Sequence, residues 1–334
     1  MVYFSILIYT YKRKEHLIGA VRSALAQKYN RENYEIVVVK GFEDTQIDEQ
    51  LDRMNVRRIY FDEKSLGAKI SAGLKECKGD FVCLLDDDDE FESSKLTVLD
   101  RIIGSDSSLD FIHDSIVKIN ETGSVIDNNP SENIKNGIQF SPDVDHNSKL
   151  SSMIRHRVDW YLSCMSFRRS TLSNVLDELT QTYQSIDKFL FFSALNYGRK
   201  LALIPDRLTR YRLHESTTTY TGSKSNFFER RELFFYNTVK IFDNIVRISK
   251  GLDGERLANC QLIQHKINLY FISSDRRNKV SFNEYFNFIL CLKYASSRYQ
   301  FVWILAYLMR RLSLSLSRTV YYRYLTKSLE YASN

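Results

Sequence analysis

The first 90 residues alternate between short apolar runs and stretches with helical periodicity. Between residues 17 and 25, apolar side chains recur at the i, i+3, i+4 spacing of an amphipathic helix. Uninterrupted apolar runs on either side are typical of strands that are buried on both faces of a sheet. The predicted strands are 4–9, 34–39 and 81–85, with a less apolar one over 57–61 (RRIYF), and a second helix is predicted over 70–77. This order predicts an α/β fold with a mostly parallel sheet flanked by helices.

The rest of the chain divides into a mixed region and a helical region. The pattern predicts a hairpin over 110–127, a helix over 187–197 and a strand over 200–205. From about residue 223 the sequence is predicted to be helical and is rich in aromatic residues. We therefore expect one domain over 1–222 and a basic, aromatic, helical C-terminal region over 223–334.

Composition and charge narrow the possible classes of protein. Of the 334 residues, 43% are hydrophobic and 26% charged, which excludes wholesale disorder. The net charge of +6 arises from residue 293 onward, so a uniformly basic surface for nucleic acid is disfavoured. Five cysteines form no CxxC pair, and the apolar run 4–9 is too short for a signal peptide. This pattern indicates reduced thiols and a cytoplasmic location.

A run of acidic residues, 86–90, directly follows the predicted strand 81–85. In an open α/β sheet, ligands bind beyond the carboxyl ends of the strands. Side chains at i and i+2 of an extended chain point the same way, so Asp86 and Asp88 are predicted to face one ligand. Such oxygen ligands suit Mg²⁺ or Mn²⁺ held together with substrate phosphates. The alternative is a solvated turn that caps a helix starting near Ser93.

The order of motifs over about residues 4–219 resembles the family 2 glycosyltransferases with the GT-A fold. Residues 4–13 (FSILIYTYKR) are similar to the family's opening strand and PTYNR-type loop. Residues 67–73 (GAKISAG) resemble its G-x-x-x-A-R-N-x-G segment, with Lys69 near the arginine. Residues 78–89 (KGDFVCLLDDDD) are similar to A-x-G-x-[YF]-[IV]-x-F-L-D-x-D-D. Further matches follow in family order at 166–170, Asp187, Gly198, 204–205 and 211–214.

The resemblance implies an inverting transfer of a sugar from a nucleotide-diphosphate sugar, UDP-sugar by default, to an acceptor hydroxyl on a glycan or a lipid-linked acceptor. It implies a nucleotide-sugar half over about 1–90 and an acceptor half over about 91–222. It places Asp88 and His214 on Mn²⁺ or Mg²⁺, with Asp89 as a third candidate at this site, and makes Asp187 the catalytic base. The nucleotide-sugar residues that it implies are Thr10, Tyr11, Arg13, Lys40, Lys69, Asp86 and Asp87.

Two positions depart from the family pattern. The family generally carries an acidic pair after the second strand, as in V-V-D-D-G-S, but here Val39 and Lys40 replace both acids. Either Glu43 or Asp44 substitutes, or recognition of the base differs. The family also often shows an acidic pair at the catalytic base, whereas Ile186 precedes Asp187 here. An acid at the start of a helix also has a purely structural interpretation, because it stabilises the helix dipole.

Two other functions remain open from the sequence. A nucleotidyltransferase-like enzyme shares a similar sheet and acid pair, but it would normally show a glycine-rich basic loop after the first strand, and residues 10–13 contain no glycine. A non-catalytic relative that binds carbohydrate or a protein partner would be signalled by a lost catalytic acid, and Asp86, Asp88 and Asp187 are all present.

The basic C-terminal tail has two interpretations of its own. Residues 299–309 form an uncharged apolar run that is too short to span a bilayer, and Arg310 and Arg311 follow it. Aromatic and apolar residues mixed with arginines suit a helix that lies on an anionic membrane, here the inner membrane face. The alternative is a helical subdomain or a homodimer interface that buries the same apolar residues against protein.

Overall fold

The computed structural model describes residues 1–10, 14–126, 134–142, 147–213, 224–291 and 307–333. Contacts divide the chain into two compact units, Met1–Leu213 and His214–Asn334. The boundary predicted after residue 222 lies outside the described residues, so it stays a prediction.

In the described part of the first unit, nine strands form one sheet. The strands are β1 (Phe4–Thr10), β2 (Tyr34–Lys40), β3 (Arg57–Tyr60), β4 (Phe81–Asp86), β5 (Glu90–Phe91), β6 (Phe111–Ile119), β7 (Ile138–Phe140), β8 (Met165–Arg168) and β9 (Leu201–Arg212). Their order is β3-β2-β1-β4-β8-β6-β9-β5, and β7 pairs with β9. The first four strands are parallel, whereas β8 runs antiparallel to both β4 and β6. The predicted α/β class is confirmed, with a sheet that becomes mixed beyond β4.

Helices flank this sheet. They are α1 (Leu17–Leu25), α2 (Thr45–Arg53), α3 (Leu66–Glu76), α4 (Lys95–Ser105), α5 (Asn147–Arg155), α6 (Arg169–Leu172), α7 (Leu176–Thr180) and α8 (Ile186–Tyr197). The hydrophobic pattern did not predict α2, because only Ile47 and Leu51 of this helix are buried. A side-chain cap defines its start instead: Ile47 N–H donates to the Asp44 carboxylate at 3.1 Å.

The core of the first unit fixes the edge of the sheet where chemistry is expected. Every residue of β1 is buried, as expected for a central strand with neighbours on both sides. In the strand register, Thr10 of β1 pairs with Lys40 of β2, and Tyr9 pairs with Asp86 of β4. The carboxyl ends of three neighbouring strands therefore meet at one edge.

The second unit is helical, as predicted, and has a hydrophobic core of its own. Its helices are α9 (Lys224–Ser249), α10 (Glu255–Ile272), α11 (Phe282–Cys291), a helical segment over 307–312, and α12 (Leu314–Ser333). The buried cluster includes Phe271 of α10 and Tyr321 of α12, and Tyr285 stacks on Tyr307 with ring centroids 3.7 Å apart. Within the described residues, no helix combines the length and hydrophobicity needed to cross a membrane.

The cysteines depart partly from expectation. Cys77, Cys83 and Cys164 are buried free thiols, in agreement with the prediction. Cys260 in α10, however, is disulfide-bonded. The prediction that all five cysteines are reduced is therefore wrong for Cys260, since an odd cysteine count says nothing about which thiols the fold brings together.

Candidate active site

A tight turn at the end of β4 brings three carboxylates together. The strand ends at Asp86, and the Asp89 N–H approaches the Asp86 carbonyl at 3.3 Å. Asp86, Asp88 and Asp89 each offer a carboxylate oxygen, and these oxygens lie within 4.8 Å of one another. The expected alternation along an extended chain is therefore not what joins Asp86 to Asp88. The turn joins them, and it brings Asp89, the third candidate, into the same cluster.

Side chains and backbone from distant segments hold this turn. Ser163 Oγ donates to Asp89 Oδ2 at 2.6 Å and accepts from the Asp86 N–H at 3.0 Å. The Arg212 N–H donates to Asp89 Oδ1 at 2.9 Å, and its buried guanidinium donates to the Asp88 carbonyl at 2.7 Å. The first turn of α4 contains no acidic residue, so these carboxylates do not cap that helix. This geometry favours a ligand site over the capping alternative.

Electrostatic crowding distinguishes this cluster from an ordinary acidic turn. Burial, together with the charges of Asp88 and Asp89, raises the pKa of Asp86 well above its usual range. Burial and the charge of Asp88 raise the pKa of Asp89 to about 7. Burial, followed by the charge of Asp86, raises the pKa of the neighbouring Tyr9 phenol. A divalent cation would relieve this repulsion, and three hard oxygen donors fit Mg²⁺ or Mn²⁺.

Beneath the turn lies a fully buried ion pair. Lys95 Nζ lies 2.6 Å from Asp114 Oδ2 and donates to the Ser163 carbonyl at 2.8 Å. Thr209 Oγ1 donates to Asp114 Oδ1 at 2.7 Å. This network fixes the backbone of Ser163, whose hydroxyl in turn orients Asp89. A buried charge pair with hydrogen bonds to its surroundings favours one local arrangement.

The residues expected on the nucleotide side have mixed surroundings. Thr10 and Asp87 are buried, and Asp87 lies outside the three-carboxylate cluster. Lys40 Nζ donates to the Phe42 carbonyl at 2.9 Å and pairs with Asp48 at 2.5 Å. Lys69 Nζ, also buried, donates to the Phe61 carbonyl at 2.8 Å. Both lysines hold loops at the carboxyl ends of strands. Tyr11, Arg13 and His214 lie outside the described residues.

A cavity of about 620 Å³ is lined by the carboxyl end of β2, by α2 and by β3 along its length. Lys40, Glu43 and Asp44 contribute to its lining, so both acids that were considered as substitutes for the missing pair are present there. Asp44, however, already caps α2 and pairs with Lys14 at 2.7 Å. Its carboxylate is therefore engaged in structure, and Glu43 is the better candidate of the two.

Asp187 lies in the first turn of α8, beside an aromatic loop. Burial raises the pKa of its carboxyl group, while the charge of Lys188 opposes this shift. Lys188 Nζ pairs with Asp159 at 2.7 Å and lies 4.4 Å from the centre of the Trp160 ring. The next residue along this loop, Tyr161, packs edge-to-face on the Tyr211 ring with centroids 4.8 Å apart.

This aromatic loop links the predicted base to the acid cluster. Burial raises the pKa of the Tyr211 phenol, and the negative charges of Asp89, Asp86 and Asp88 add to the effect. Tyr211 therefore lies in the field of the carboxylate cluster, while Lys188 connects the same loop to α8. The arrangement places a carboxylate triad and a separate, half-buried acid around one aromatic loop.

Comparison with known proteins decides the family. The profile described as glycosyl transferase family 2 matches residues 5–163. Residues 5–163 belong to glycosyltransferase family 2. An uncharacterized glycosyltransferase of Rickettsia felis is 30% identical over 127 residues, which are 37% of this chain and 21% of that protein. One of Rickettsia conorii is also 30% identical over 127 residues, 37% of this chain and 20% of that protein. The chain thus matches only about a fifth of the length of these relatives.

Solved structures extend the likeness in fold to nearly the whole chain. The Staphylococcus aureus TarS 1–349 complex with UDP-GlcNAc has a TM-score of 0.57 and 16% identity, covering 97% of this chain and 92% of that one. The TarS 1–349 complex with UDP has a TM-score of 0.55 and 17% identity, covering 97% and 91%. The family 2 domain therefore has the GT-A fold, followed by a helical C-terminal region.

The sequence did not single out the residues that support the family 2 acid cluster. Asp114 carried a signal, because it is the only acidic residue in residues 111–119 (FIHDSIVKI), which form β6. Lys95 and Ser163 carried none, since a lysine near a helix start and a serine in a loop are ordinary. Arg212 was part of a matched motif, but nothing in that motif indicated that its backbone binds Asp89.

We expect Ser163→Ala to weaken divalent-metal binding by the family 2 domain about 10- to 100-fold. The substitution removes the single hydroxyl that donates to Asp89 and accepts from the Asp86 N–H. Titration calorimetry with Mn²⁺ and UDP would measure this loss. Ser166→Ala is the matched control, since Ser166 is equally buried but donates to Cys83 Sγ. Equal losses in the two variants would contradict an orienting role for Ser163.

Proposed function

We propose that this protein is an inverting glycosyltransferase that uses a UDP-sugar with Mn²⁺ or Mg²⁺ and transfers the sugar to an acceptor hydroxyl. One observation carries the proposal: three carboxylate oxygens lie within 4.8 Å of one another at the end of β4 in a family 2 domain. The TarS complexes with UDP-GlcNAc and UDP support a uridine diphosphate donor by analogy of fold.

Each group in the site has a separate role in this proposal. Asp86, Asp88 and Asp89 would hold the metal, which supplies positive charge to the diphosphate leaving group. Ser163 and Arg212 keep Asp89 in place. Asp187 would accept the proton of the acceptor hydroxyl as that oxygen bonds to the anomeric carbon and the bond from that carbon to the diphosphate breaks. Attack from the face opposite the leaving group inverts the anomeric centre.

Burial of Asp187 suits this role. A carboxyl group whose pKa is raised is a stronger base once it is ionised. Lys188 lies beside it but is engaged with Asp159 and the Trp160 ring, so it does not form the close ion pair that would keep the base permanently charged. The donor-side acids and the proposed base are thus separate groups with separate tasks.

A thermal-shift panel of nucleoside diphosphates and nucleotide sugars, each with and without Mn²⁺, tests the donor class. We expect UDP and a UDP-sugar to raise the unfolding midpoint only with the metal, because ligand binding stabilises the folded state by mass action. Release of UDP in the presence of acceptors then separates an enzyme from a non-catalytic binder. Stabilisation by nucleoside triphosphates alone would instead favour the nucleotidyltransferase-like alternative.

We also propose that the C-terminal unit contacts an anionic membrane at the inner face, where a lipid-linked acceptor would lie. The described part of the tail divides into two faces. Tyr307 and Tyr321 are buried in the core of the unit, which agrees with a helical subdomain. Leu308, Leu312 and Leu316 are 53%, 77% and 45% exposed, and the exposed Arg311 lies among them in sequence. Exposed leucines beside an arginine suit the interface of an anionic bilayer.

Substituting Leu308, Leu312 and Leu316 together by serine is expected to abolish cosedimentation with phosphatidylglycerol vesicles, because it removes the apolar surface that would enter the interface. Leu233→Ser, at another exposed position of the same unit, is the control. Binding that is insensitive to salt and equal on neutral vesicles would contradict the proposal. A dimer that the triple variant dissociates, measured by light scattering, would favour the homodimer interface instead.

A further inference from the structure

A second cavity, of about 300 Å³, is lined in part by Tyr161. Its buried lining includes His113 of β6 and Leu203 of β9. Its exposed lining is basic and comes from three consecutive residues at the end of α5, Arg155, His156 and Arg157. The cavity thus has a closed floor and a cationic rim.

The acid in this cavity is already neutralised. Among the described lining residues, the carboxylate is that of Asp114, which pairs with Lys95 at 2.6 Å and accepts from Thr209. His113 Nε2 donates to the Trp160 carbonyl at 2.7 Å, and burial lowers the pKa of this ring to about 4, so it is neutral. The net charge offered to a ligand therefore comes from the two arginines.

One strained loop joins this cavity to the candidate active site. Arg157 Nη1 donates to the Tyr161 hydroxyl at 3.0 Å, and its guanidinium carbon lies 5.5 Å from the centre of the Trp160 ring. Arg157 and Tyr161 both have positive φ angles, 59° and 62°, which non-glycine residues rarely adopt. Tyr161 in turn packs on Tyr211, which lies in the field of the acid cluster. Such outliers cluster where a site must be held in one arrangement.

We propose that this cavity is an acceptor subsite that binds an oxyanion, so that the acceptor carries a phosphate or carboxylate group. The inference rests on the proposed glycosyltransferase function, because it assigns the acceptor side of that reaction. Two arginine forks match the planar and tetrahedral oxygens of such groups. A volume of about 300 Å³ is the size of a small-ligand pocket, enough for one charged unit of a longer acceptor.

Direct binding tests the inference without knowing the acceptor. Trp160 borders the cavity through Arg157, and the chain contains only two tryptophans, so Trp303→Phe leaves Trp160 as the single fluorescent reporter. This protein is titrated with inorganic phosphate, and separately with acetate, at constant ionic strength and without divalent metal. We expect saturable binding of at least one anion, and the stronger of the two identifies the oxyanion.

Two variants and one control locate the binding. Arg155→Gln, and Arg155→Gln with Arg157→Gln, are expected to weaken it about tenfold or more. The single variant leaves the Arg157–Tyr161 contact intact and so separates lost charge from a disturbed loop. Arg101→Gln, an exposed arginine of α4 outside the cavity, is expected to bind as the parent does. The absence of saturable binding, or equal binding by the double variant, would overturn the inference.

A failure of the acceptor subsite can be distinguished from a failure of the proposed glycosyltransferase function. Turnover of a UDP-sugar by the wild-type protein, measured by UDP release, tests the proposed function and needs neither arginine variant. If turnover occurs but neither anion binds saturably, the acceptor subsite is wrong and the glycosyltransferase stands. If arginine-dependent anion binding occurs without any nucleotide-sugar binding, the cavity remains an anion site and its assignment to an acceptor fails.

Discussion

Replacing Asp88 by asparagine is expected to reduce metal-dependent sugar transfer by about two orders of magnitude or more, the scale of losing one transition-state charge stabiliser. Asp88 supplies one of the three clustered carboxylate oxygens, and its charge raises the pKa of both Asp86 and Asp89. Asparagine keeps the shape and removes the charge. Steady-state transfer assays across a range of Mn²⁺ concentrations would measure the loss.

In the absence of metal, Asp88→Asn should increase the stability of the fold, although it lowers the activity. Three crowded carboxylates repel one another, so removing one charge stabilises the metal-free fold by about 1 kcal/mol, or roughly 2–4 °C in the unfolding midpoint. Addition of Mn²⁺ with UDP should then stabilise the wild type far more than the variant. If Asp88 is a metal ligand, the variant should be more stable than the wild type without metal and less stabilised by Mn²⁺ with UDP. If Asp88 is purely structural, the variant should be less stable in both conditions.

Asp87→Asn is the matched control, because Asp87 belongs to the same acid run but lies outside the cluster. It should lose clearly less metal-dependent activity than Asp88→Asn. Equal losses in the two variants, at equal folded fractions, would count against the assignment of Asp88.

Asp187→Asn is expected to lower transfer about 10²- to 10⁴-fold while leaving the affinity for UDP-sugar and Mn²⁺ nearly unchanged, because a general base acts on the acceptor and not on the donor. The transfer activity of the wild-type protein should rise with pH as the Asp187 carboxyl group ionises. Since burial raises the pKa of this group, the rise should occur above the range of an ordinary aspartate. The variant should lose this limb of the pH profile.

Asp177→Asn tests the purely structural interpretation of Asp187. Asp177 is also an acid in the first turn of a helix, α7, but it is exposed and has the same favourable interaction with a helix dipole. Similar small effects in both variants would reduce Asp187 to helix stabilisation. Loss of donor binding in Asp187→Asn would instead place Asp187 in the nucleotide site.

Much of the first unit could be predicted from sequence because its signals are local. Runs such as 36–39 and 81–85 are apolar throughout, and the structure buries every residue of both runs, as expected for strands with neighbours on both sides. The acid run after β4 marked the site because parallel strands end at one edge. α2 escaped prediction because only two of its residues face the core.

The sequence by itself determined the four parallel strands β1–β4, the place of the acid run and the helical C-terminal region, because their signals lie in neighbouring residues. Only the tertiary structure decided which groups form hydrogen bonds with the acid run and hold it in place. Ser163 and Arg212 reach Asp89 across 74 and 123 residues of chain, and the turn at Asp86 replaces an expected extended segment. Lys40 and Lys69 became buried supports for loops, and the tail separated into buried tyrosines and exposed leucines. Periodicity reports burial along one element, whereas these contacts depend on how distant elements pack.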